Sequence, residues 1–259
     1  MSLKQAWADG RVTYGVWSAL DDPVAAEIVG RAGFDLVCVD LQHGFADLGS
    51  ATAILAALHR TPTASVVRVA WNAPEQIMRV LDLGAEGVIV PMVDDAEQAR
   101  RAVDACRYAP AGRRSWGPLW GDARRSHPEP DEGDRLATCI LMIETADGLV
   151  NIEDIVRVPG VDAVYIGPND LSLSLGIGRR LDAPELDAAV ARVVAAARGA
   201  GVAVGIDWAD PAGARRWAQQ GMNLVIAARD SVLLRAAADR AARELRRTDV
   251  PGDGRPSGA

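Results

Sequence analysis

ASVVRVAWNAPEQIMRVLDLGAEGVIVP, residues 64–91, holds one full repeat of the architecture. A β-branched run at 64–70 is followed by an amphipathic helical pattern at 74–83, and a second apolar run follows at 87–91 with Gly87 at its entry. Both runs are nearly continuous rather than alternating, as expected of strands covered on both faces. Glycine at the junction suits a helix C-terminus turning into a strand. Working outward, six more runs read as strands: 12–17, 34–40, 138–144, 161–166, 202–207 and 223–227. Helical patterns lie between and after them, near 22–32, 48–60, 94–107, 147–157, 184–199, 210–220 and 229–247, and Gly33, Gly160, Gly201 and Asn223 mark further helix-to-strand turns. Eight strand–helix units in about 250 residues is the count of a single-domain (β/α)8 TIM barrel. A doubly wound open sheet is the alternative, but no G-x-G-x-x-G follows the first strand. The barrel is expected over residues 1–247, with a disordered tail at 248–259. About 45 residues separate the fourth and fifth strands, and loops that long inside a domain are usually functional or disordered. The Pro-, Gly- and charge-rich part, 109–135, is expected to wall or cover the C-terminal end of the barrel.

Composition narrows the function. The 259 residues are 49% hydrophobic and 24% charged, with 28 basic against 35 acidic side chains and a formal charge of −7. That balance argues against nucleic acid and against a polybasic membrane contact. No stretch approaches the roughly 20 apolar residues that span a bilayer, and the first residues, MSLKQAWADGR, do not read as a signal peptide. Cys38, Cys106 and Cys139 are odd in number and set among apolar neighbours, so they read as small buried hydrophobes in a reducing, cytoplasmic setting. Lys4 is the only lysine. Imine chemistry needs a lysine amine in the site, so Schiff-base and pyridoxal phosphate mechanisms are nearly excluded.

Barrel active sites gather at the C-terminal ends of strands. That filter selects Asp40, Gln42 and His43 after strand two, Arg68 in strand three, Glu144 after strand five, Asn169 and Asp170 after strand six, and Asp207 followed by Trp208 after strand seven. Each charge in a buried strand must be paired or bind a ligand; a plain ion pair such as Arg68 with Asp40 or Glu144 is the bland reading. Glu144 and Asp170 follow adjacent strands, and together with substrate oxygens and waters they suit Mg²⁺ or Mn²⁺, with Co²⁺ or another divalent ion as alternatives. His59 reads as a helix C-terminal residue and His127 as solvated, which leaves His43 for acid–base work. No G-x-S-x-G elbow is present, and Trp71, Trp116 and Trp120 are expected in packing or a pocket wall.

These residues stand in VDLQHG (39–44), VRVAWN (67–72), LDLGAEGVIVPMV (81–93), RYAPAGRRSWGP (107–118), MIETADGL (142–149) and YIGPNDLS (165–172). As a set they resemble the HpcH/HpaI aldolase family, metal-dependent class II pyruvate aldolases on a TIM barrel related to citrate lyase β subunits and malyl-CoA lyases. The resemblance spans about Gly15 to Arg240. It implies metal ligation by Glu144 and Asp170, acid–base work by His43, and an Arg68 that holds the pyruvate keto oxygen. It implies too that Asp82 reaches the histidine across a subunit interface, that Asp40 supports the site from behind, and that Gln42, Gly167, Pro168 and Asn169 lie along the substrate. Gln42 stands where some members have glutamate, and Met142 where some have glutamine, which bears on substrate preference.

The implied reaction is reversible cleavage of a 4-hydroxy-2-oxo acid to pyruvate and an aldehyde. His43 would take the C4 hydroxyl proton, and the metal and Arg68 would stabilise the pyruvate enolate. Backbone N–H groups of the helix after GPND would meet the substrate carboxylate. Alternatives are 2-oxo-acid decarboxylation, a malyl-CoA or citryl-CoA lyase with a phosphate patch at arginines 113, 114, 124 and 125, and a catalytically silent scaffold barrel. A hexamer, a trimer of dimers, is implied by the resemblance, with the amphipathic stretch at 229–247 expected to pack on a neighbour or to be exchanged between subunits.

Overall fold

The structure, a computed structural model, describes residues 2–119 and 129–248. Eight strands, β1 (Thr13–Ser18), β2 (Leu36–Asp40), β3 (Ala64–Arg68), β4 (Gly87–Val90), β5 (Thr138–Ile143), β6 (Ala163–Ile166), β7 (Ala203–Asp207) and β8 (Leu224–Arg229), close in chain order into one barrel. Every pairing is parallel, and β8 returns to β1 through an irregularity between Gly15 and Val16. The expected (β/α)8 barrel is what the chain forms.

The pleat sorts each strand into two layers, because successive side chains point to opposite faces. Val37 and Val39 join the outer core between strands and helices, whereas Leu36 and Cys38 join the inner cluster with Trp17, Val66, Ile89, Ile140, Met142, Tyr165 and Ile226. One pleat further, the inward rows end in Asp40, Arg68, Glu144 and Asp207. The barrel is thus apolar through its middle and ionic at its C-terminal mouth. Its floor is closed by Leu3 and Trp7 of the short helix Leu3–Ala8, where the Trp7 indole donates to Thr13 Oγ1 at 2.9 Å. No strand or helix pattern was expected there. Lys4, on the same helix, bonds Ala137 O at 3.1 Å and lies 3.6 Å from Asp162, at the foot of the barrel. All three cysteines are buried and free.

Helices begin where their caps dictate. Asp22 and Asp47 accept from the first-turn N–H groups of Pro23–Gly30 and Leu48–Leu58, and proline opens Pro74–Asp82, Pro168–Ser174, Pro184–Ala200 and Pro211–Gln219. The helix expected near 147–157 is two short pieces, Ala146–Val150 and Ile152–Ile155; Asn151 between them donates to Asp94 O at 2.8 Å.

The described parts of the long loop depart from the expectation of a cover or wall at the mouth of their own barrel. Helix Ala96–Cys106 carries the chain back down before the loop begins. Arg107 then bonds Ala137 O, Gly160 O and Asp162 Oδ2, all at the N-terminal ends of β5 and β6, and helix Pro130–Leu136 leads straight into β5. The described parts of 109–135 therefore sit at the foot. Arg114 is buried there with its guanidinium on Asp82 Oδ1 at 2.8 Å, and Arg113 lies 3.9 Å from Asp104, so neither forms a phosphate patch at the mouth. Arg124, Arg125, Trp120, His127 and the tail from 249 lie outside the described residues.

The last helix, Asp230–Thr248, is anchored at its start. Asp230 Oδ1 and Oδ2 accept from the N–H groups of Ala19 and Leu20 at 3.0 and 3.1 Å, tying the helix to the loop after β1. Beyond that anchor its apolar side chains, including Val232, Leu234 and Leu245, are exposed. An apolar groove of about 450 Å³ opens beside its start, among Tyr14, Phe34, Ala227, Ala228, Val232 and Leu233.

Candidate metal and substrate site

Glu144 follows β5 and is 3% exposed. Its Oε1 accepts the Met92 N–H at 2.8 Å. Met92 is the one non-glycine residue with positive φ, at 55°, among the described residues, and that turn after β4 aims the amide at the carboxylate. The other oxygen lies over Gly167, where an added Cβ would stand 2.7 Å from Oε2 and 3.0 Å from the Met142 methyl. Burial raises the Glu144 pKa to about 7, the Asp170 and Asp94 charges push the same way, and the Met92 N–H and Arg68 oppose them. Asp170, in the first turn of helix Pro168–Ser174, is exposed and close enough for its charge to bear on Glu144. A carboxylate this deeply desolvated beside a second one is a poor resting place for two negative charges and a good one for a divalent cation. No group of three His, Cys, Asp or Glu side chains that could hold a metal occurs among the described residues. Such an ion would take two protein carboxylates and leave its other positions to water and substrate oxygens, a hard-cation pattern.

Arg68, expected as substrate ligand or ion-pair partner, is both paired and partly free. Its Nε and Nη2 form a fork on Asp40 at 2.9 and 2.6 Å. Its Cζ lies 4.4 Å from the Trp17 ring centroid, and among the described residues Nη1 meets only Met142 Sδ, at 4.0 Å. Burial alone would raise the Asp40 pKa; the Arg68 fork and the N–H groups of His43 and Gln42 outweigh it and hold the carboxyl below its ordinary value. The guanidinium is correspondingly held charged.

The same Asp40 builds the turn that carries His43. Oδ1 accepts the Gln42 and His43 N–H groups, each at 3.1 Å, and the chain doubles back so tightly that a Cβ on Gly44 would stand 2.2 Å from Asp40 O. The His43 imidazole is exposed, with no side-chain partner among the described residues. Gln42 Oε1 is buried without a hydrogen bond. Asn169 Oδ1 accepts from Arg179 at 3.1 and 3.2 Å, and Pro168 is buried at the start of the helix. The expected set thus lies at the end of β3 and on the segments after β2, β5 and β6, with one exception. Asp82 ends helix Pro74–Asp82 at the foot of its own barrel, held by Arg114, and does not join His43 within one chain.

The strand-end filter missed two supports, since neither residue type advertises a role. Trp17 sits inside an apolar run, and nothing in the sequence marks Met92 as the residue whose backbone turns toward Glu144.

A protein-family model described as HpcH/HpaI aldolase/citrate lyase matches residues 13–237. The chain belongs to the HpcH/HpaI aldolase/citrate lyase family. It is 37% identical over 241 residues to the Salmonella dublin 4-hydroxy-2-oxo-heptane-1,7-dioate aldolase, covering 92% of each chain. An HpcH/HpaI family protein from Burkholderia cenocepacia J2315 is similar in structure, with a TM-score of 0.88 and 33% identity over 94% of this chain and 98% of that one. A citrate lyase β subunit from M. tuberculosis complexed with oxaloacetate and magnesium shares the fold at a TM-score of 0.60 and 20% identity, over 89% of this chain and 95% of its own.

Proposed function

We propose that this HpcH/HpaI family member is a class II pyruvate aldolase that cleaves a 4-hydroxy-2-oxo acid to pyruvate and an aldehyde. The observation that carries the reading is Glu144, seated between the Met92 N–H and the bare Cα of Gly167 with Asp170 in electrostatic reach. Glu144 and Asp170 would hold Mg²⁺ or Mn²⁺, which when bound supplies the positive charge that draws electrons onto the 2-oxygen as the C3–C4 bond breaks. Arg68 contributes from this chain: with two nitrogens locked on Asp40, Nη1 is left to donate to the keto oxygen, where negative charge grows. His43 takes the C4 hydroxyl proton, the aldehyde leaves, and a proton returned to C3 gives pyruvate. Buried Gln42 Oε1 and the first turn at Pro168 and Asn169 border the substrate.

A second copy supports the base. Asp82, bound to Arg114 at the foot, serves the His43 of a neighbour, and the exposed last helix lies in a neighbour's groove beside Val232 and Leu233, giving a hexamer of three dimers. Free buried cysteines fit a reducing cytoplasm. No helix among the described residues is long and apolar enough to cross a membrane.

The test is retro-aldol turnover with pyruvate detection, comparing the metal-loaded enzyme, the chelator-treated enzyme and Asp170→Ala. Losses of at least about a hundredfold in both are expected; full activity after metal removal sinks the reading. Within one chain His43 has no side-chain partner among the described residues, and decarboxylation of a 2-oxo diacid is the further activity that needs no base for an alcohol. His43→Ala is expected to abolish aldol cleavage and spare that reaction.

A further inference from the structure

Asp207 ends β7 in the ring of charged residues at the mouth, yet the proposed reaction gives it nothing to do. Its Oδ1 accepts the Trp17 indole N–H at 3.0 Å. Trp17 is 1% exposed, stands edge-on to Tyr165 at 6.2 Å, and carries the Arg68 guanidinium on its face at 4.4 Å. Four strands are linked this way across the barrel: Asp207 on β7, Trp17 on β1, Arg68 on β3 and Asp40 on β2.

The two contacts on Arg68 constrain different motions. A carboxylate fork fixes where a guanidinium lies but lets its plane rock about the line joining the two bonds. A ring against its flat side stops the rocking, provided the ring itself cannot turn. An indole has one polar handle, and here Asp207 holds it. We infer that Asp207 is a positioning residue: by fixing the Trp17 indole it sets the tilt of Arg68 and so the direction in which Nη1 donates. The inference rests on the reading that Arg68 binds the keto oxygen of the 2-oxo acid.

The experiment measures pyruvate Kd by calorimetry, and KM and kcat for retro-aldol cleavage, on the Mg²⁺- or Mn²⁺-loaded enzyme. The variants are Asp207→Leu, Asp207→Asn, Trp17→Phe and Arg68→Lys, with Asp207→Leu and Trp17→Phe each also made in the Arg68→Lys background. Asp207→Leu and Trp17→Phe are each expected to raise Kd and KM about tenfold, with a smaller change in kcat. Asp207→Asn keeps an acceptor for the indole and stays within about threefold of the parent. Neither substitution adds to the loss once Arg68 is lysine, because a contact cannot position a fork that is gone. Trp17→Phe keeps an aromatic ring in place and reports even where Asp207→Leu fails to fold. Wild-type Kd in Trp17→Phe, equal losses with and without Arg68, or an Asp207→Asn as weak as Asp207→Leu each overturn the inference. If Arg68→Lys itself binds pyruvate normally, the reading beneath it has failed as well.

Discussion

A methyl group added at residue 167 would press on Glu144 Oε2 from 2.7 Å and on the Met142 methyl from 3.0 Å, and the carboxylate can turn away only by giving up the Met92 N–H that holds its other oxygen. Gly167→Ala is therefore expected to weaken divalent-metal binding at least about tenfold in a buffered titration, while the melting temperature shifts little, since misplacing one ligand oxygen is enough to cost that much. Asp40 makes a different prediction, about stability. Replacing it with asparagine strands a buried guanidinium, which should cost about 3–5 kcal/mol at pH 7. Its folded pKa lies below the ordinary carboxylate value, so the stability it adds is present above that value and is lost as pH falls through the folded one. Urea unfolding at pH 7 and pH 3 should show Asp40→Asn much less stable than the parent in the first case and closer to it in the second. An unchanged gap would mean that the Arg68 pair does not set the acid sensitivity.

Turns and strand ends act as units, and the turn after β4 shows it. Met92 accepts φ of 55° so that its N–H reaches Glu144. A β-branched side chain fits that backbone poorly and glycine fits it well. Met92→Val should lose about 1–2 kcal/mol of stability together with metal affinity, whereas Met92→Gly should keep both; thermal melts with and without metal check this. The strands, by contrast, were plain in the sequence. Short β-branched apolar runs, entered at glycine and alternating with helical patterns, read as strands packed on both sides, and a charge one pleat beyond such a run, as at Asp40, Arg68, Glu144 and Asp207, reads as facing the mouth. Direction along the barrel was harder to read. Residues 109–135 look like a cover in the sequence, whereas helix Ala96–Cys106 carries the chain down to the foot, where the described parts of that stretch lie. The break at Asn151 depends on a bond to Asp94, 57 positions away, which no local pattern announces. Asp82 came from family likeness alone, because its proposed partner stands on another molecule.

At the scale of the molecule, half of the proposed acid–base pair sits at each end of one barrel. Mixing His43→Ala with Asp82→Asn, each expected to be nearly inactive alone, should restore part of the aldol activity once the chains are unfolded and reassembled together. Activity that stays absent in the mixture would mean that the two residues do not meet between subunits. Light scattering on Leu233→Glu and Leu245→Glu should show a smaller particle than the parent if the exposed helix lies on a neighbour. The floor has a practical consequence of its own. The chain's single lysine is moored there among Ala137, Asp162 and Arg107, at the opposite pole from Glu144. Reagents that modify lysine side chains thus act at the base of each subunit, with the length of the barrel between them and the proposed metal-binding carboxylate.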